Sequence, residues 1–287
     1  MNQAFFVWVV LCLIWGSTWI FIKLGLRDLP PMLFAGWRFT VAAVVLWGIV
    51  AWRRRPMPRA ARDWRMLALT GVLAFSVNYA LVFWSEQYIS SGLAAVLQAT
   101  IPAFGMIFAH FHLPHERLTW RKALGVLLGI GGVGLIFYDQ VEMEGRMALL
   151  GCAAMIVSAL VVSYYNVLIK ARAGHIDPAV LAAGQMTFGL VPLMSIGLFF
   201  ERAPVWTPRA IGSLLYLALV GSAIAFLLYY WLVMKIEVTR TMLISLVTPV
   251  IALLLGWFIA AEPLSWRVAA GSLAILSGIG LVIAIRR

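Results

Sequence analysis

Two stretches of this chain carry the same plan. Residues 98–135 read QATIPAFGMIFAHFHLPHERLTWRKALGVLLGIGGVGL and residues 245–281 read SLVTPVIALLLGWFIAAEPLSWRVAAGSLAILSGIGL. In each, an apolar run holds a proline, Pro102 or Pro249. A Glu-x-Leu-[Thr/Ser]-Trp-Arg turn follows, Glu116 to Arg121 and Glu262 to Arg267, and a glycine-rich apolar run closes on Gly-x-Gly. From Glu116 onward the copies align at an offset of 146, so Trp120 falls on Trp266, Gly125 on Gly271, Gly132 on Gly278 and Gly134 on Gly280. Before the turn the offset is 147, and it reaches further back: Pro31 matches Pro178, Thr40 matches Thr187, Phe83-Trp84 matches Tyr230-Trp231 and Ile22-Lys23 matches Ile169-Lys170. The chain is a tandem duplication, with one half over 1–141 and the other over 142–287.

What each half folds into follows from its solvent. With 63% hydrophobic and 11% charged residues and a mean hydropathy of +0.97, the chain lacks the polar surface to cover a soluble globule. A membrane-spanning helix needs about 20 predominantly apolar residues. Ten such stretches are present, roughly 4–24, 31–52, 66–85, 91–111, 121–138, 147–169, 178–199, 210–233, 241–260 and 266–285. They leave room only for short loops, so no attached soluble domain is expected. A barrel would alternate over short segments instead, so the expected fold is all-α and polytopic. The first run is expected to stay as a span: no charge precedes it and no small-residue cleavage pattern follows. Five spans per half is an odd number, so the second copy enters the membrane from the opposite side. The expected architecture is ten helices in two inverted five-helix repeats around a central cavity, where transporters of this build place their sites.

The formal charge of +11 is distributed by side. With the N-terminus in the cytoplasm, 15 Lys and Arg fall in cytoplasmic segments and 6 on the opposite side, with Arg38 left inside a span. This is the positive-inside pattern, with both termini in the cytoplasm of a cell inner membrane. The Arg-rich 53–65 segment is then an anchor near anionic headgroups, and no nucleic-acid partner is expected. Cys12 and Cys152 lie in apolar spans and read as small buried hydrophobes. His110, His112, His115 and His175 lie at span ends or in loops, and the first three do not share one helical face. No metal, no cofactor and no catalytic constellation is expected, which argues against an enzyme; the partners expected are the bilayer and a small-molecule substrate, and the chain is read as a monomer.

Ten spans in two halves, a proline in spans four and nine, the Glu-x-Leu-[Thr/Ser]-Trp turn, glycine-rich spans five and ten, and Leu-Ile-Trp-Gly-Ser-Thr-Trp at 13–19 together resemble the EamA-like families of the drug/metabolite transporter superfamily. The resemblance covers essentially the whole chain. Within the superfamily the chain is similar to the YddG-type aromatic amino-acid exporters, partly through its size and tryptophan content. The resemblance implies a cavity enclosed by spans one to four and six to nine, with five and ten packed outside.

The residues themselves suggest how such a cavity is lined. Trp15 and Trp19 share a face of span one with Trp8, and they lie near mid-span beside Gly16, Ser17 and Thr18. Tyr79 and Phe83 share a face of span three that continues to Glu86. Pro102 and Pro249 are expected to kink spans four and nine and to strip a donor from the carbonyls of Gln98 and Ser245, which are equivalent positions of the two copies. Thr248 extends the Ser245 face. Span six brings Ser158, Ser163, Tyr164, Tyr165 and Asn166, span seven Gln185, and span eight Tyr229-Tyr230. The candidate substrate contacts are Trp15, Trp19, Tyr79, Phe83, Gln98, Tyr164, Gln185, Tyr230, Ser245 and Thr248, with Pro102 and Pro249 as hinges. The glycines of spans five and ten read as helix-packing positions.

An ionisable group near the membrane centre costs roughly 2.5–3.5 kcal/mol on the insertion scale and persists mainly where it works. No Asp, Glu or Lys lies near a midplane here, and span one carries Trp-Gly-Ser-Thr-Trp where neighbouring multidrug exporters carry a glutamate. The expected mechanism is therefore a facilitator that moves substrate by alternating access; Glu86 is the residue best placed to upset that reading. Arg38 is left with two readings, snorkelling or pairing with Glu86 on one side and binding a substrate carboxylate on the other. One arginine is too few for a phosphate-bearing substrate. An aromatic, otherwise uncharged cavity suits a neutral amino acid, above all an aromatic one, for export; lipophilic or cationic drugs are the rival substrates.

Overall fold

The computed structural model describes residues 2–89, 94, 97–136, 145–251 and 266–283. The start of span four, the second half of span nine and the Glu262–Ser265 part of the second turn lie outside the described residues. Helices run α1 (Asn2–Gly25), α2 (Pro31–Trp52), α3 (Ala61–Ser85), α4 (Ile101–His112), α5 (Trp120–Ile136), α6 (Gly145–Arg172), α7 (Pro178–Phe200), α8 (Pro208–Lys235), α9 (Val238–Ile251) and α10 (Trp266–Ile283). No strand occurs among the described residues. Among the described residues six helices, α1, α2, α3, α6, α7 and α8, are long and apolar enough to cross a membrane.

Local signals set the helix starts. Pro31, Pro178 and Pro208 each sit in a first turn, where a missing N–H costs nothing because that donor has no intrahelical partner. Asp177 caps α7 by accepting from Ala179 N, and Thr207 caps α8 by accepting from Ala210 N. Two glutamates cap helices from afar. Glu201, just past α7, accepts from Met32 N and Leu33 N at 2.8 Å each, closing the start of α2. Glu116 of the repeated turn accepts from Val238 N at 2.9 Å and Thr239 N at 3.2 Å, closing the start of α9. Each carboxylate thus ties one element to another and sits at the positive end of a helix dipole.

The duplication is visible in local geometry. α3 and α8 each widen into a π-helical segment, Val72–Val77 and Leu219–Ile224, and the two segments lie 147 residues apart. The equivalent helices α2 and α7 pack on each other in antiparallel register, and so do α5 and α10. In the α2–α7 pair Gly36 lies against Met194 and Gly197 against Leu33, while Trp47 Nε1 donates to Thr187 Oγ1 at 2.9 Å. In the α5–α10 pair a Cβ on Gly125 would meet the Gly278 carbonyl at 2.6 Å, and one on Gly132 would meet the Gly271 carbonyl at 2.5 Å. Only glycine permits that approach of two backbones, as expected for these spans.

The two proline spans differ from the expected smooth kink. Before α4 the chain breaks at Ala99–Thr100, and Pro102 falls in the first turn of the new helix instead of inside a continuous one. In α9 the interruption comes at Leu243, and Pro249 lies six residues beyond it. The Ser245 carbonyl, expected to be free, accepts from Thr248 Oγ1 at 3.4 Å.

Candidate functional site

A cavity of about 160 Å³ lies among α1, α2, α3, α6, α8, α9 and the chain entering α4. That is well above the roughly 10–15 Å³ a cavity needs to hold a single water. Its wall is aromatic and polar but almost uncharged: Trp15, Trp19, Tyr79, Tyr165, Phe226 and Tyr229 supply rings, and Asn78, Gln98, Asn166, Thr241, Ser245 and Thr248 supply polar groups. α5 and α10 contribute nothing to the wall among the described residues.

Seven equivalent pairs supply most of the wall. At the offset of 147, Trp15 matches Val162, Thr18 matches Tyr165, Trp19 matches Asn166, Tyr79 matches Phe226, Val82 matches Tyr229, Gln98 matches Ser245 and Ile101 matches Thr248. Both members of every pair face the cavity.

Its polar groups are held from behind. Ser158 Oγ accepts from Gln98 Nε2 at 2.9 Å and donates to Asn78 Oδ1 at 2.6 Å, linking three chain segments in one buried network. Satisfied networks of this kind fix side-chain positions, because breaking one leaves a buried polar group unpaired. Asn166 donates Nδ2 to Val162 O at 2.9 Å, and its Oδ1 has no hydrogen-bond partner among the described residues. On α8 the π turn loosens the helical ladder, and the Gly221 carbonyl there accepts from Trp15 Nε1 at 3.3 Å and Arg38 Nη2 at 3.2 Å.

Of the residues expected from the sequence, Trp15, Trp19, Arg38, Tyr79, Gln98, Ser245 and Thr248 line the cavity. Four others lie elsewhere. Phe83 is fully buried edge-on against Phe34, with ring centroids 5.7 Å apart. Gln185 is buried where α7 meets α3 and donates to Thr70 Oγ1. Tyr230 is buried among Phe226 and Tyr229. Tyr164 faces outward, 36% exposed, against Phe108 and His112. Adjacent helical residues point about 100° apart, so Tyr165 and Tyr229 reach the cavity where their neighbours do not. Of the wall residues absent from the candidate contacts, Asn166 and Phe226 follow from adding 147 to the candidates Trp19 and Tyr79, whereas Tyr165 and Tyr229 answer to Thr18 and Val82, which were not candidates. Glu86 does not pair with Arg38; it lines a separate recess with Lys23, Leu26 and Arg27.

The family model of the EamA-like transporter family matches this chain twice, over residues 3–138 and 149–284. The uncharacterized transporter YoaV of Bacillus subtilis is 30% identical over 269 residues, covering 93% of this chain and 92% of its own length. The uncharacterized inner membrane transporter YedA of Escherichia coli K12 is 30% identical over 264 residues, covering 89% and 82%. A solved crystal structure superposes with a TM-score of 0.81 over 98% of this chain and 96% of its own, at 20% identity. That likeness concerns the fold alone.

Proposed function

The chain belongs to the EamA-like transporter family, and from that premise we propose that this membrane transporter exports aromatic and other neutral amino acids as a facilitator working by alternating access. The observation that carries the substrate reading is the cavity wall, in which six rings surround a few neutral hydrogen-bonding groups. Ring stacking contributes about 0.5–1.5 kcal/mol per pair beyond area burial, and an ammonium over a ring face about 0.5–2 kcal/mol. Asn166 Oδ1, an acceptor without a partner among the described residues, suits an ammonium donor.

Alternating access draws support from the paired lining, from the antiparallel packing of α2 on α7 and α5 on α10, and from the breaks at Ala99–Thr100 and Leu243. Two inverted five-span halves that exchange shapes would open the same wall to either side in turn. The positive-inside count supports a cytoplasmic Arg53–Arg65 end with both termini on that side, and YedA is named an inner membrane transporter. The facilitator reading rests on the wall itself, which carries no acidic side chain among the described residues to load and unload a proton.

The test is uptake of radiolabelled phenylalanine, tryptophan and threonine into liposomes reconstituted with the protein, with and without an imposed proton gradient. Saturable uptake that prefers the aromatic pair and ignores the gradient is expected. Uptake that requires the gradient and disappears in Glu86→Gln would sink the facilitator mechanism; no uptake of any of the three would sink the amino-acid assignment.

A further inference from the structure

We infer that Arg38 is the carboxylate-binding group of this cavity, so that the transporter selects small molecules bearing a carboxylate and rejects cations of similar shape. The inference rests on the cavity being the transport site, and it names the feature that its substrates share.

Arg38 is 1% exposed, yet it borders the cavity. Its partners among the described residues are all neutral. Nε donates to Ser222 Oγ at 2.8 Å and Nη2 to the Gly221 carbonyl at 3.2 Å, and the guanidinium lies 5.1 Å from the Tyr79 ring centroid and 5.3 Å from that of Phe39. Nη1 makes no hydrogen bond among the described residues. A buried guanidinium held only by dipoles and ring faces is poorly compensated, and buried charges ordinarily persist when paired. No acidic side chain lines the cavity among the described residues, so the counter-charge is one that the ligand can bring.

The duplication supplies an internal control. Arg38 matches Gln185 at the offset of 147. Gln185 is also fully buried between helices, but it does not border the cavity; its Nε2 donates to Thr70 Oγ1 and its Oε1 has no hydrogen-bond partner among the described residues. Helix packing at this position is therefore met by a neutral amide in one half, and the positive charge occurs in the half where the side chain reaches the cavity. A guanidinium offers a carboxylate paired donors in a fixed plane, whereas it repels an ammonium ion.

Ligand-induced thermal stabilisation of the purified full chain tests this with four probes of similar shape: phenylalanine, 3-phenylpropionate, phenylalaninamide and phenethylamine. The two carboxylates are expected to stabilise the wild type, and the amide and amine are not. Arg38→Gln is expected to melt without ligand at or above the wild-type temperature, since it removes a buried charge, and to need at least about tenfold more of either acid. Arg38→Lys is expected to retain part of the response, and it guards against a glutamine variant that does not fold. Equal stabilisation by acids and amides, no stabilisation by either acid, or an Arg38→Gln protein that is less stable alone but responds to acids as the wild type does would each overturn the inference. The arms separate the two readings. Binding of 3-phenylpropionate without phenylalanine keeps Arg38 and removes the amino-acid assignment, and equal binding of phenylalanine and its amide does the reverse.

Discussion

At the scale of single residues, helical phase decides what a side chain can do. Tyr164 and Tyr165 are neighbours, but only Tyr165 borders the cavity, while Tyr164 is 36% exposed. Replacing Tyr229 or Trp19 by alanine is expected to raise the apparent KM for an aromatic amino acid about 2- to 12-fold, the value of one ring contact. Tyr164→Ala is expected to leave uptake unchanged, and a reconstituted uptake assay of the three variants checks both statements. Outside the spans, Asp28 accepts from Thr207 Oγ1 at 2.7 Å and from Arg209. The Thr207 hydroxyl first, then the Arg209 guanidinium, hold its carboxyl below the usual carboxylate range. A depressed carboxylate contributes stability above its unfolded value near 4 and loses that contribution as pH falls through its folded value. Melting curves from pH 3 to 7 should therefore show Asp28→Asn flatter than wild type at the acid end, and less so in high salt.

At the scale of elements, the sequence showed the helices and hid the irregularities. Apolar run length and first-turn prolines marked the helices, because backbone satisfaction in lipid leaves few alternatives. The π segments at Val72–Val77 and Leu219–Ile224 carry no sequence signature, and the breaks at Ala99–Thr100 and Leu243 precede their prolines by two or more residues. Those features depend on how neighbouring helices take up freed carbonyls, which is a tertiary matter. The site was legible in part through the repeat: projecting Trp15, Trp19, Tyr79 and Gln98 by 147 finds Val162, Asn166, Phe226 and Ser245 on the wall, whereas projecting Phe83 gives Tyr230, which lies off it as Phe83 does. Of the glycines of α5 and α10 read as packing positions, Gly125, Gly129, Gly132 and Gly278 pack closely, whereas Gly131, Gly134 and Gly280 meet nothing within 4 Å. A Cβ on Gly278 would press into the Gly125 backbone, whereas one on Gly280 meets nothing within 4 Å. Gly278→Ala is expected to cost about 1–3 kcal/mol and to show as a lowered melting temperature in detergent, while Gly280→Ala should stay within about 0.5 kcal/mol of wild type.

At the scale of the whole molecule, a duplicated chain is wrapped around a chamber most of whose lining repeats with the chain. Glu116 ties the turn after α4 to the start of α9, and Glu201 ties the end of α7 to the start of α2, so each half is fastened to the other by a carboxylate on a helix terminus. On the alternating-access reading, the wall changes sides while α5 and α10, locked together outside it, do not. The most direct measurement is labelling of a single cysteine at Ser245, in a chain whose Cys12 and Cys152 have been replaced, with a membrane-impermeant maleimide applied from either side of sealed vesicles. Reaction from both sides, slowed from both by saturating phenylalanine, is the predicted result. Reaction confined to one side under every condition, or reaction indifferent to phenylalanine, would contradict the account.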